Sequence, residues 1–527
     1  MERPIETFTP EEQALLAPHF TNFDKPVFGL VNLPETVKGA LFARYSRYPG
    51  TLRRLYLDEF ADSLPQTAAV FEGDEGKRAA ELYDRIFLGY GDDSVAQLGG
   101  MHIAMEWVSN VMTKVLQRPR LAAYLEQSTR YLSWDGPMPG GGFRYHREEA
   151  LGPEYETAMD RIFEIYSAAI PAVVTWAADA YPAAAGDSDA AHLRAVKAKA
   201  LDLLRGLLPA ASLAHMGMYA TGQTYEQLIL HLLAHPLPEA QAYGQMILST
   251  VQEVMPSFVA RVERPDRGGE WVDFLATRAE TGRRWSEKLG IQTEDAGDPG
   301  PSVELLSVEG TEEDMLTALL FEASGKSEHD IRKAVAALST AEQGQLLAEL
   351  AGDRKNRRHR PGRGLESLRY RFEIVADYGA FRDLQRHRML TVQWQTLTPH
   401  LGAGVPGEVS DAGQGDAYQE ALEVSAAEWQ RLTDLGLHPQ APYALCLGYR
   451  IRFVLDLNAR EAMQLIELRS GREGHPTYRG VAIAMRDRIA EVHPSVANLM
   501  THVDEEMEPR LERMMSELRI ESKGASG

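Results

Sequence analysis

Apolar and polar positions along this chain run through the same order twice. A short apolar stretch at Val27 to Val31 precedes a helical periodicity from Glu35 to Tyr45, and Val303 to Val308 precedes another from Glu312 to Ala323. Val108, Val111, Met112 and Val115 then fall on one helical face, as do Tyr378, Phe381 and Leu384 further on. A Gly/Pro-rich loop follows each time (Gly136 to Gly142; Gly402 to Gly407), and then an aromatic-bearing helix (Tyr155 to Tyr166; Tyr418 to Leu432). Between the two series, from Thr293 to Ser302, periodicity vanishes and Gly, Pro and acidic residues cluster. A duplication accounts for this better than two unrelated domains. The expected fold is α/β of the mixed α+β kind: two tandem, helix-rich domains with short β-sheets, 1–295 and 303–527, joined by a linker at 296–302.

Composition narrows the function classes. At 527 residues with 44% hydrophobic and 25% charged residues, the chain reads as an ordinary globular protein too long for one core. No apolar run approaches the roughly 20 residues of a membrane helix, so no membrane partner is expected. Met1 to Pro4 lacks a signal-peptide pattern, and a single cysteine fits a reducing compartment, so a cytoplasmic location is expected. That residue, Cys446, lies in an apolar stretch and reads as a buried, inert thiol. A net charge of −21 argues against general nucleic-acid binding, which needs excess cation. One segment departs from it: residues 354–363 are densely basic, either a solvated loop or a phosphate-facing one. His231 and His235 lack the Glu of a metalloprotease pair, so no metal is expected, and Gly140 to Gly142 lack the Lys-Ser/Thr of a phosphate loop.

The chemistry-bearing residues also occur in two partial copies. The later copy reads Arg386-His387-Arg388 and, after seven residues, Thr396. The earlier reads Arg118-Pro119-Arg120 and, at the same spacing, Ser128, followed by Arg130 and Tyr131. An Arg-His-Arg, seven residues, then Ser and Arg resembles the signature of flavin-dependent thymidylate synthases. The second half also carries Tyr370-Arg371-Phe372 thirteen residues before Arg386, and Asn458-Ala459-Arg460, Gln464 and Leu468-Arg469 at intervals similar to the family's. The first half carries Glu126 ahead of Ser128, and Arg205 four residues before Pro209.

The resemblance implies FAD bound by Arg386, His387, Arg388, Asn458, Arg460 and Gln464. It implies a nucleotide held by Glu126, Ser128, Arg130, Arg205 and Arg469, with NADPH and methylenetetrahydrofolate as co-substrates and methylation of deoxyuridine monophosphate at C5. Planar, permanently charged guanidiniums suit both the cofactor's phosphates and an anionic reduced ring. Local sequence also allows plainer roles. Asn458 can cap a helix, Ser128 can bond its own backbone, and Arg460 and Glu467 can form surface ion pairs. Departures are substantial: Pro119, Thr398 and Pro442 stand where the family has a His and two arginines, Thr221 and Gln223 where it has Asn and Arg, Leu232 where Arg469 is kept, and Ser367 where it has the His after Glu366. Each lost charged hydrogen bond costs roughly 1.5–3 kcal/mol, so two or three losses approach the roughly 8 kcal/mol of a micromolar ligand. Neither half is therefore expected to complete a site alone. A homodimer, with four domains, is expected to build composite sites; the alternative is a degenerate relative that binds FAD or a nucleotide without catalysis.

Overall fold

The computed structural model describes residues 3–61, 97, 99–184, 187–291 and 297–518; part of the expected linker lies outside these. The chain forms two compact units. The first is Met1–Ser167 with Leu207–Asp295 and Glu420–Cys446; the second is Ala168–Gly206 with Ala296–Gln419 and Leu447–Gly527. Each unit thus combines most of one sequence half with a segment of the other.

The first unit is built on a four-stranded antiparallel sheet of β1 (Val27–Leu30), β2 (Gly100–Ser109), β3 (Ala122–Glu126) and β4 (Leu213–Thr221), in the order β1-β2-β4-β3. The second repeats the plan with β5 (Ser302–Glu309), β6 (Arg369–Asp377), β7 (Leu390–Trp394) and β8 (Arg450–Asn458), in the order β5-β6-β8-β7. The fold is mixed α+β with the duplicated order read from the sequence, and the helix from Glu35 to Tyr45 runs over the expected span. The central strands β2 and β4 are buried on both faces, as their near-continuous apolar sequences demand, whereas β8 alternates buried and half-buried positions.

In both units a polar residue ends a central strand and caps the helix that follows. Ser109 Oγ accepts from Met112 N at 3.0 Å, opening the Asn110–Leu116 helix, and Asp377 Oδ1 accepts from Ala380 N at 2.7 Å, opening Tyr378–Leu384. Thr221 caps Gly222–Leu233, and Asn458 Oδ1 accepts from Glu461 N at 2.9 Å to open Ala459–Arg469. Each cap satisfies an otherwise orphaned helical N–H and is worth about 1 kcal/mol. Because the two central strands of each sheet run antiparallel, these two helices start at opposite ends of it.

The two sheets are distorted at different places, the second between Leu305 and Ser307 of β5. Pairing of β2 with β4 shifts between Met105 and Val108, and Trp107 takes a left-handed φ of 59°. The bulge turns the Trp107 N–H to His215 Nδ1 at 3.1 Å and its carbonyl to Tyr243 Oη at 3.0 Å.

Candidate functional site

In the second unit the Tyr378–Leu384 helix ends just before Arg386-His387-Arg388. His387 turns inward and is buried, while Arg386 and Arg388 on either side are exposed. His387 Nδ1 lies 3.0 Å from Glu461 Oε1, and Arg469 Nε donates to His387 Nε2 at 3.1 Å. These partners assign the tautomer, because a guanidinium can only donate and a carboxylate only accept. His387 is neutral, protonated on Nδ1, with its Nε2 lone pair on Arg469. Burial depresses its pKa first; Glu461 opposes this and the charge of Arg469 adds to it. The ring is a fixed wedge between the Ala459–Arg469 helix and the motif, and not a proton donor at neutral pH.

A second cluster adjoins it. The carboxylate of Asp383 lies 3.6 Å from Arg205 Nη1, 3.7 Å from Arg469 Nη1 and 4.0 Å from Arg386 Nη1. Arg205 ends the Asp189–Leu204 helix, in the first-half segment that belongs to this unit, and is only 3% exposed. Its Nη2 also reaches Asp377 Oδ1 at 3.5 Å and Thr477 Oγ1 at 3.3 Å. Its backbone is fixed by a close approach: Gly448 N donates to Gly206 O at 2.8 Å, and a Cβ on Gly206 would stand 2.0 Å from Tyr418 Oη. Beside Arg205 opens a cavity of about 520 Å³ with mostly apolar walls, whose polar points include Arg205, His475 and Thr477.

Of the residues singled out in the sequence, this unit therefore gathers Arg205, Arg386, His387, Arg388, Asn458, Arg460, Gln464 and Arg469. Asn458 caps its helix, so its side-chain oxygen is engaged locally. Arg460 Nε donates to Pro361 O at 3.2 Å and its Nη1 lies 3.5 Å from Glu366 Oε1; Glu467 pairs with Arg354. Gln464 is half-buried on the same helix. Asp383 and Glu461 were not anticipated. Each stands three residues from a motif residue (Arg386 and Asn458), a spacing too common on its own to single them out.

The first unit holds Glu126, Ser128 and Arg130. The Glu126 carboxylate is buried and accepts from Lys114 Nζ at 3.1 Å and Gln117 Nε2 at 2.8 Å. It anchors the end of β3. Gln127 is tied in turn to Tyr48 O and to the backbone of His215. Ser128 N donates to Ser46 O at 3.2 Å, and Ser128 Oγ accepts from Arg130 N at 3.3 Å. Ser128 and Arg130 are half-buried and Tyr131 is exposed, so a rigid base presents these three to the surface. The Cys446 thiol, by contrast, is fully buried, donates to Leu207 O at 3.2 Å and is pushed up to about 12 by burial.

Comparison with known proteins places the chain in a family. The profile of the thymidylate synthase complementing protein family matches twice, over residues 53–257 and 305–495. The chain belongs to this family, that of the flavin-dependent thymidylate synthases, and carries its domain in tandem. Among similar proteins is a UPF0159 protein of Chlamydia muridarum (strain MoPn / Nigg), 34% identical over 511 residues that cover 94% of this chain and 96% of that one. A UPF0159 protein of Thermoplasma acidophilum is 29% identical, covering 92% and 98%. A solved structure, a UMP/dUMP methylase PolB from Streptomyces cacaoi bound with 5-Br dUMP, is 22% identical with a TM-score of 0.32, covering 39% of this chain and 96% of that one.

Proposed function

We propose that the protein is a flavin-dependent methylase that transfers a one-carbon unit to C5 of deoxyuridine monophosphate, drawing site residues from both sequence halves. The observation that carries this is the meeting of Arg205, from the first half, with Arg386, His387 and Arg469 around Asp383 in one unit. Two exposed guanidiniums flanking a buried neutral imidazole form a donor set suited to FAD: Arg386 and Arg388 match its diphosphate and the carbonyl edge of its ring. Bound there, FAD supplies hydride transfer from NADPH to a methylene donated by methylenetetrahydrofolate.

The protein's own residues then do three things. His387 and Glu461 fix the direction of Arg469. Arg205 and Arg469, both largely buried, hold the nucleotide phosphate through charge-assisted bonds. Ser128 and Arg130, positioned by the buried Glu126, form a polar surface of the first unit itself. The mostly apolar cavity beside Arg205 offers room for a flat ring. Enzyme cysteine takes no part, since Cys446 is buried and protonated. A homodimer with four units, in the cytoplasm, completes this reading; mass measurement in solution tests the assembly.

The test is absorbance near 450 nm with added FAD, then anaerobic NADPH with and without deoxyuridylate. Nucleotide-dependent reduction, with methylated product after folate addition, is the expected result; a protein that takes up no flavin refutes it. One observation favours a second reading, a relative that binds ligand without catalysis. The Asp383 carboxylate occupies the guanidiniums a phosphate needs. Flavin uptake without any deoxyuridylate effect would select that reading.

A further inference from the structure

The basic segment is not a loose loop. Arg354 turns into the second unit, where its Nη1 and Nη2 grip the buried Glu467 carboxylate at 2.8 and 2.5 Å and Nη1 also donates to Leu499 O at 2.6 Å. Its Nε donates to His359 O at 2.6 Å, which closes the loop on itself. At the other end Arg460 holds Pro361 O at 3.2 Å. Arg460 and Glu467 both lie on the Ala459–Arg469 helix, whose Glu461 and Arg469 grip His387. The loop and the candidate site are therefore bolted to opposite sides of one three-turn helix.

What the loop presents is unbalanced charge. Lys355, Arg357, Arg358, Arg360 and Arg363 are all exposed. Lys355 pairs with Asp353 and Arg363 with Glu366. Arg357, Arg358 and Arg360 have no ion-pair partner among the described residues, in a chain of net charge −21. Three like charges held within four residues repel one another, and a fixed backbone prevents them from dispersing. An anionic ligand with several charges spaced along a flexible chain relieves that repulsion at each step.

We propose that residues 355–363 form a docking strip for an oligocarboxylate tail, the chain of linked glutamates carried by a reduced folate whose reactive end lies near His387. This rests on the methylase reading above. A carboxylate tail fits better than nucleic acid, because the guanidinium fork takes carboxylates in pairs while a strongly acidic chain repels a long polyphosphate backbone beyond the strip. Each exposed pair is weak, and three in concert give a preference of roughly tenfold.

The test compares methylenetetrahydrofolate bearing one glutamate with the same compound bearing five, in the full-length protein and in R357Q/R358Q/R360Q. KM is expected to fall roughly tenfold with the longer tail in the natural protein. That advantage should vanish in the variant and at about 1 M salt, where screening acts within about 3 Å. Turnover and KM with the single glutamate should not change, and Arg→Lys at the same three positions should keep most of the preference. An undiminished preference in the Gln variant overturns the proposal. So does tripolyphosphate binding that depends on the same residues and exceeds pentaglutamate binding. Equilibrium binding of pentaglutamyl folate separates the two claims: loop-dependent binding without turnover supports the strip and sinks the methylase reading, whereas turnover without loop-dependent preference does the reverse.

Discussion

Asp383→Asn keeps the shape of the side chain and removes the charge that three guanidiniums share. At separations of 3.6, 3.7 and 4.0 Å, each pair is worth about 4 kcal/mol at an effective dielectric near 20 and about 1 kcal/mol in water. Asp383 and Arg205 are mostly buried, so the gross attraction lies toward the upper figure, and desolvation offsets most of it. Asn at this position should cost the ligand-free protein about 2–4 kcal/mol, because Arg205 keeps only Asp377 as a charged partner. The sign reverses once an anion is present. A phosphate entering between Arg205 and Arg469 no longer meets a carboxylate, and affinity should rise roughly tenfold or more. Calorimetric titration with deoxyuridylate and with inorganic phosphate reads the second effect; melting in phosphate-free buffer reads the first. A variant that melts like the natural protein, or that binds phosphate no more tightly, would show that the carboxylate and the ligand do not compete for these arginines.

Gly206→Ala should destabilise by about 1–3 kcal/mol and displace Arg205, because its Cβ meets Tyr418 Oη at 2.0 Å. Adding Tyr418→Phe, which removes that oxygen and leaves 3.3 Å to the ring, should restore most of the melting temperature. Glu106 is fully buried, with Arg53 at 3.5 Å, and burial raises its pKa from 4.5 to about 7. The folded state therefore holds a proton the unfolded chain releases. That stability is complete below about pH 4.5 and is lost as pH rises through 7, by about 3 kcal/mol; Glu106→Gln should remove this slope from denaturation curves between pH 5 and 7. Thiol reagents should leave Cys446 untouched until the protein unfolds, and Cys446→Ala should not abolish turnover.

Much of this was legible in the chain. Short apolar stretches marked β1 and β5, and helical periodicity marked the helices that lead into the two arginine motifs. The spacing of Arg386-His387-Arg388 and Asn458-Ala459-Arg460 marked the two motifs, and the contacts of His387 with Glu461 and Arg469 show which helix the first one packs against. Asp383 was not legible, since an acidic residue three before an arginine is a common surface pair until a third and fourth guanidinium arrive from elsewhere. The spacing of Arg205 from Pro209 singled it out but did not place it in the second unit, because no local pattern records which half a helix packs against. Nor did any local signal set Glu126 apart as an anchor; its burial depends on Lys114 and Gln117 folding back across β3.

The exchange of segments has a consequence for inheritance. Residues 168–206 serve the second unit and 420–446 the first, so neither sequence half encodes a complete unit. A gene cut at the linker would yield two fragments, each missing a piece of its own core, and each is expected to accumulate only when the other is made beside it. Once fused, two such copies cannot easily part.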